Sequence, residues 1–239
     1  MTPAATSRLD LAELFPFPLD GFQLEAIDAL NQGHSVVVSA PTGSGKTLVG
    51  EYAIHRALAH GQKVFYTTPL KALSNQKLRD FREQFGSERV GLMTGDLTVN
   101  REARIVVMTT EVFRNMLYAE ADQGDDPLAD VEAVVLDECH YMNDTQRGTV
   151  WEESIIHCPP SVQLVALSAT VANAGQLTDW IERVHGPTRL VLSDFRPVPL
   201  QFSFCSAKGL HPLLNDEGTG LHPNCKVWRA PKGNKRKGP

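Results

Sequence analysis

Seven short runs rich in Val, Ile and Leu punctuate the chain, over residues 35–39, 63–67, 89–93, 104–108, 133–136, 163–167 and 189–192. Several are nearly continuous apolar stretches, the pattern of strands buried on both faces. Between them apolar positions recur with a helical period over 22–32, 45–60, 71–85, 111–119, 150–157 and 174–185. Such alternation predicts an α/β fold with a parallel sheet flanked by helices. Gly124-Asp125-Asp126-Pro127 reads as a loop. Beyond Pro199 the pattern fades, and an irregular, partly ordered C-terminal extension is expected there.

Charge sharpens this division. The net charge is −5, yet residues 206–239 carry +5, so residues 1–205 carry −10. An acidic body argues against a nucleic-acid binder that works by charge alone, and leaves room for a local cleft. The longest apolar runs fall far short of the ~18 residues of a membrane span. Cys139, Cys158, Cys205 and Cys225 form no CxxC pair, and residues 1–10 lack a basic-then-apolar leader. A reducing cytoplasmic setting is therefore expected, and an organelle stroma fits equally.

Chemistry enters at the end of the first strand. Ala40-Pro41-Thr42-Gly43-Ser44-Gly45-Lys46-Thr47 matches the phosphate-loop pattern at every position but the first, where Ala40 replaces Gly. Gly43 and Gly45 let the backbone curl so that N–H groups converge on phosphate oxygens. The following helix aims its positive end at the same anion. Lys46 supplies a full charge there, and the Thr47 hydroxyl suits Mg²⁺. Asp137 and Glu138 close another buried run, at the sheet edge where open parallel sheets bind ligands. Asp137 suits the Mg²⁺ shell opposite Thr47, and Glu138 suits accepting a proton from an attacking water. Lys46, Asp137 and Glu138 are thus the candidate catalytic set. Cys139 and His140 lack partners at zinc spacing, and Cys139 reads as a packed apolar residue.

Asp137-Glu138-Cys139-His140 resembles the DExH box of superfamily-two helicases, and further blocks of that family follow its order. Phe17-Pro18-Leu19-Asp20-Gly21-Phe22-Gln23 resembles the adenine-sensing segment, which implies that Phe17 and Gln23 join Thr42, Gly43, Ser44, Gly45, Lys46 and Thr47 in holding ATP. Thr68-Pro69-Leu70-Lys71, Thr94-Gly95-Asp96 and Thr109-Thr110-Glu111 resemble blocks that track a nucleic-acid backbone. Ser168-Ala169-Thr170, with His140, resembles the block coupling hydrolysis to lobe movement. The run from Thr109 to Tyr118, Asn143-Asp144 through Glu153, Leu167 through Asn173 and Arg196-Pro197-Val198-Pro199-Leu200 are similar to the superkiller-like DExH RNA helicases.

The resemblance implies a RecA-like ATP-binding lobe over 15–200, an N-terminal extension over 1–14 and a basic, linker-like extension over 201–239. It implies ATP and Mg²⁺ as cofactors and single-stranded RNA as partner. A second RecA-like lobe, the source of arginine fingers, is missing from this chain, so a fragment or truncated product with little turnover of its own is expected. Two other readings share these motifs: a lobe of a DNA-unwinding repair helicase, and a non-catalytic, nucleotide-dependent RNA-binding module. The oligomeric state is left open.

Overall fold

A computed structural model describes residues 9–119, 128–143, 148–206, 209–223 and 225. Its contacts divide the chain into two compact units, Met1–Arg196 and Pro197–Pro239. In the first unit, β1 (Ser35–Ser39), β2 (Lys63–Thr68), β3 (Val90–Met93), β4 (Thr98–Val99), β5 (Ile105–Thr109), β6 (Val131–Leu136), β7 (Gln163–Ser168) and β8 (Thr188–Leu192) form one sheet. Their order is β4-β3-β5-β2-β6-β7-β1-β8. All neighbours run parallel except β3 and β4.

The helices are α1 (Leu11–Leu14), α2 (Gly21–Asn31), α3 (Thr47–Ala59), α4 (Lys71–Phe85), α5 (Thr110–Ala119), α6 (Gly148–His157) and α7 (Ala174–Val184). Each of the seven expected strands and six expected helices is present, its ends shifted by at most two residues. The short α1 and the two-residue β4 were not expected; β4 pairs only through Leu92 with Val99 and Met93 with Thr98.

Side-chain alternation along the strands builds a three-layer sandwich. Val36, Val38, Val64, Tyr66, Val135 and Leu167 face one core, shared with α2, α3 and α4. Val37, Phe65, Val134, Leu136 and Ala166 face the other, with Phe113 of α5, Trp151 of α6 and Ile181 of α7. Both faces are dry, which is why these strands read as unbroken apolar runs. Leu9, Leu11 and Leu14 lean on the first core.

The second unit departs from the expected irregularity. It carries an antiparallel hairpin of β9 (Ser203–Ser206) and β10 (Gly209–Pro212), strands too short to leave a clear period. The loop expected at residues 124–127, Asp144 of the family block, and Lys208, Lys226, Arg229, Lys232, Lys235, Arg236 and Lys237 of the basic tail lie outside the described residues. Among the described residues, no helix is long and apolar enough to cross a membrane.

Candidate functional site

The parallel sheet delivers the ends of β1, β2, β3, β5, β6 and β7 to one edge, and the sequence-predicted residues gather there. The loop leaving β1 holds Gly43 and Gly45 at φ of +84° and +85°, left-handed values that side chains rarely adopt. A Cβ on Gly45 would also sit 2.8 Å from Gln23 Nε2. Lys46 folds back over the loop, its Nζ donating to the carbonyls of Ala40 at 2.8 Å and Pro41 at 3.0 Å. Burial lowers the Lys46 pKa, while Glu138 and Asp137 oppose that shift and Arg196 adds to it. Ser44 Oγ is buried inside the cradle with no hydrogen-bond partner. A buried hydroxyl so placed suits an anion that accepts from it.

Asp137 and Glu138 follow β6. The Asp137 N–H donates to Thr67 O at 3.0 Å, tying the turn to the neighbouring strand. Tyr66 Oη donates to Asp137 Oδ2 at 2.9 Å, and the Glu138 N–H to Asp137 Oδ1 at 2.9 Å. Each carboxylate oxygen keeps a further lone pair, so Asp137 is oriented without being saturated. Glu138 stands at φ +54°, a left-handed conformation for a non-glycine residue. Burial, then the charge of Asp137, drives the Tyr66 phenol well above its ordinary range, so it stays a donor. Cys139 is fully buried and its thiol is pushed up to about 12 by that burial, so it behaves as a packed apolar group. No cluster of three or more His, Cys, Asp or Glu suited to a metal occurs among the described residues.

Phe17 is 53% exposed in an apolar groove of about 550 Å³ that also includes Phe15, Leu19 and Leu24. Gln23, only 5% exposed, spans helix start and phosphate loop. Its Oε1 accepts from the Asp20 N–H at 2.8 Å, and its Nε2 donates to Gly45 O at 3.1 Å. One N–H and one lone pair remain to meet a base.

The residues expected to track nucleic acid divide in two. Leu70, Lys71, Gly95 and Asp96 are exposed, and Glu111 is half-buried. Lys71 Nζ meets Asp96 Oδ1 at 2.9 Å, and that bond holds the Asp96 carboxyl below its ordinary range. Thr68, Pro69, Thr94, Thr109 and Thr110 are buried. Thr68 Oγ1 bonds Ser74 Oγ at 2.7 Å and donates to Leu70 O at 3.1 Å, whereas Thr110 Oγ1 donates to Thr68 O at 3.2 Å. Thr94 Oγ1 donates to Asp96 Oδ1 at 2.9 Å. These hydroxyls brace the loops from within.

His140 Nδ1 lies 3.3 Å from Glu138 Oε2 and 3.3 Å from the Ala169 N–H. With the Ala169 N–H donating to it, Nδ1 has no proton for Glu138, so His140 is bonded to the Ser168-Ala169-Thr170 segment and stands beside the acidic turn. Ser168 is buried, its Oγ donating to Ala169 O at 2.8 Å, while Thr170 is exposed.

Sequence reasoning overlooked several participants. Tyr66 orients Asp137. Arg196 reaches back over 154 positions to donate to Thr42 O at 3.1 Å. Lys77, on α4, places Nζ 3.4 Å from Thr47 Oγ1 and 5.4 Å from the Tyr66 ring centroid. Its signal was available: Lys77 falls three residues after Ser74 and four before Phe81, on the buried stripe of an otherwise solvated helix.

The DEAD/DEAH box helicase model matches residues 20–177. The chain is 53% identical over 215 residues to the DExH-box ATP-dependent RNA helicase DExH15 chloroplastic of Arabidopsis thaliana, covering 89% of this chain and 18% of that protein. It is 47% identical over 214 residues to the antiviral helicase SKI2 of Saccharomyces cerevisiae, covering 89% and 16%. Among solved structures, the Mycobacterium smegmatis helicase Lhr bound to ssDNA and AMP-PNP matches with a TM-score of 0.61 at 28% identity, over 80% of this chain and 27% of that one. The chain thus spans less than a fifth of either curated relative.

Proposed function

Because the chain belongs to the DEAD/DEAH box helicase family, whose members bind ATP, we propose that it is the ATP-binding, RecA-like lobe of an ATP-dependent RNA helicase. The observation carrying this reading is the convergence of Lys46, the unpartnered Ser44 hydroxyl, Asp137 and Glu138 at one sheet edge, in a chain 53% and 47% identical to two DExH-type relatives. Lys46, Thr42, Gly43, Ser44 and Gly45 receive the phosphates. Lys46 loses its carbonyl partners, Ala40 and Pro41, as it turns to the anion. Phe17 lies against the base, and Gln23 reads adenine with its spare N–H and lone pair.

Thr47 and Asp137 offer hard oxygen donors, the kind Mg²⁺ takes when phosphate oxygens and water complete its shell. The oriented, unsaturated Asp137 fits that role. When bound, the ion neutralises charge on the phosphate oxygens. Glu138 accepts the proton of the attacking water, and His140 carries the change in Glu138 to the backbone of Ala169. Single-stranded RNA crosses the ends of β2, β3 and β5, meeting Leu70, Lys71, Gly95, Asp96 and backbone amides of the loops that Thr68, Thr94, Thr109 and Thr110 brace. Contacts of this kind grip phosphates without reading bases. A second lobe supplies the arginines and the surface against which this lobe moves.

The test is ATP binding and turnover by the chain with poly-U RNA, poly-dT DNA or neither, beside Lys46→Ala and Glu138→Gln. Binding lost in Lys46→Ala and kept in Glu138→Gln is expected. RNA should stimulate turnover above DNA once a second lobe is supplied. Equal binding by the native chain and Lys46→Ala would sink the reading. Stimulation by DNA alone would move the substrate to DNA.

A further inference from the structure

Lys77 belongs to α4, the helix that begins at Lys71 on the strand-facing side, yet its charge lies at the nucleotide side. Its Nζ is 3.4 Å from Thr47 Oγ1, and it stands over the rings of Tyr66 and Phe81 at 5.4 and 5.7 Å. Tyr66 in turn donates to Asp137 Oδ2 at 2.9 Å. One lysine therefore touches one of the two protein groups suited to Mg²⁺ and backs the residue that orients the other. Glu51 adds a third acidic charge around Tyr66. A magnesium ion sits about 2.1 Å from each ligand oxygen. An ammonium group 3.4 Å from that same oxygen would face the dication at close range, and like charges at such separation repel strongly where water is scarce.

We propose that Lys77 is a positioning residue that competes with Mg²⁺ for the Thr47 hydroxyl, so that entry of metal and nucleotide displaces this side chain of α4. The inference rests on the nucleotide reading above. With metal scarce, Lys77 donates to the Thr47 hydroxyl and supplies a counter-charge for a bound phosphate. With metal present it must withdraw along the faces of Tyr66 and Phe81, where a cation remains favourably held. Its half-buried stem lies on the same face of α4 as Ser74 and Phe81, which leaves the ammonium group free to move without disturbing the helix.

The experiment is binding of a fluorescent ADP analogue to the 239-residue chain, titrated with magnesium chloride or held in EDTA. Native protein is compared with Lys77→Met, which keeps the apolar stem, with Lys77→Gln, and with Lys77→Arg, which keeps the charge. In Lys77→Met the Mg²⁺ concentration for half-saturation should fall about three- to tenfold, while affinity in EDTA weakens. Lys77→Arg should follow the native chain. Opposite signs for the two readouts separate competition from a packing role, which would move both the same way. Lys77→Gln supplies the answer if Lys77→Met melts below the assay temperature. An unchanged or higher Mg²⁺ half-saturation in both neutral variants overturns the inference while leaving nucleotide binding intact. Failure of the native chain to bind the analogue overturns the parent reading and this inference together.

Discussion

Glu138 combines a reactive position with an unfavourable backbone. At φ +54° its Cβ crowds the backbone, a cost of about 1–2 kcal/mol that glycine escapes. Such strain persists only where surrounding contacts enforce it, here the Asp137 bond to Thr67 and the Glu138 bond to Asp137. Glu138→Gly should therefore raise the melting temperature by about 2–4 °C, the shift about 1 kcal/mol gives a domain of this size, while abolishing the turnover obtained with a second lobe supplied. Glu138→Gln should do the second without the first. Calorimetry beside an ATPase assay checks both; a lower melting temperature for Glu138→Gly would refute the strain argument. Gly45 shows the converse demand. Gly45→Ala meets both a left-handed φ and the Gln23 amide 2.8 Å away. It should weaken nucleotide binding and destabilise the fold by about 1–3 kcal/mol, measurable by urea denaturation.

Elements divide the labour between the two ends of the sheet. At the end opposite the phosphate loop, Arg56 of α3 bonds Glu132 of β6, the carbonyl of Leu30 at the end of α2 and Gln163 of β7, and His60 also reaches Glu132. This buried cluster ties three elements together around one guanidinium. Arg56→Met leaves Glu132 with a single half-exposed imidazole and should cost about 3–5 kcal/mol in denaturant unfolding. Nucleotide affinity of the folded fraction should be unchanged, because the site lies at the other edge. A stability change below about 1 kcal/mol would mean that the cluster is only a surface-type pair. Helix α4 works differently. Its face carries Ser74, Lys77 and Phe81, so the helix that opens at the loop after β2 also reaches Thr47 at the start of α3.

For the molecule as a whole, one buried and one half-buried imidazole shape the response to acid. His185 caps the end of α7, with Nδ1 3.2 Å from Cys158 O and Nε2 2.9 Å from Val162 O. Desolvation lowers its pKa and outweighs the two carbonyls, which raise it; burial likewise lowers His55. Both groups bind protons more weakly folded than unfolded. Their contribution to stability is present above the ordinary histidine pKa of about 6.5 and is lost as pH falls through their folded values. Stability should therefore decline as pH falls below about 6.5, and His185→Gln should flatten that slope. Denaturation curves across that range decide it. The sheet edge likewise has two territories. The ends of β1 and β6 carry the glycine-rich loop and the carboxylates Asp137 and Glu138, that of β7 carries Ser168-Ala169-Thr170, and those of β3, β5 and β2 carry the loops proposed to meet RNA. Neighbouring strands β2 and β6 join them through the Asp137 bond to Thr67.

Local patterns were enough for the seven expected strands, the six longer helices and the phosphate loop. Burial on both faces selects unbroken Val and Ile runs, and a phosphate cradle needs closely spaced glycines before a lysine. The DExH turn was legible for the same reason, since its residues are consecutive. Contacts between distant segments were not. Tyr66 and Asp137 lie 71 positions apart, Lys77 and Thr47 30, and Arg196 and Thr42 154, and only the pairing of strands and the packing of helices over them bring them together. Nor does composition reveal which threonines face inward: Thr68 and Thr110 read as surface contacts until strand pairing buries them beneath their own loops. The residue types thus announced a phosphate site and the strands that carry it. The folding of β2 between β5 and β6 set Tyr66 and Thr67 against Asp137, because orientation depends on neighbours that chain order does not place side by side.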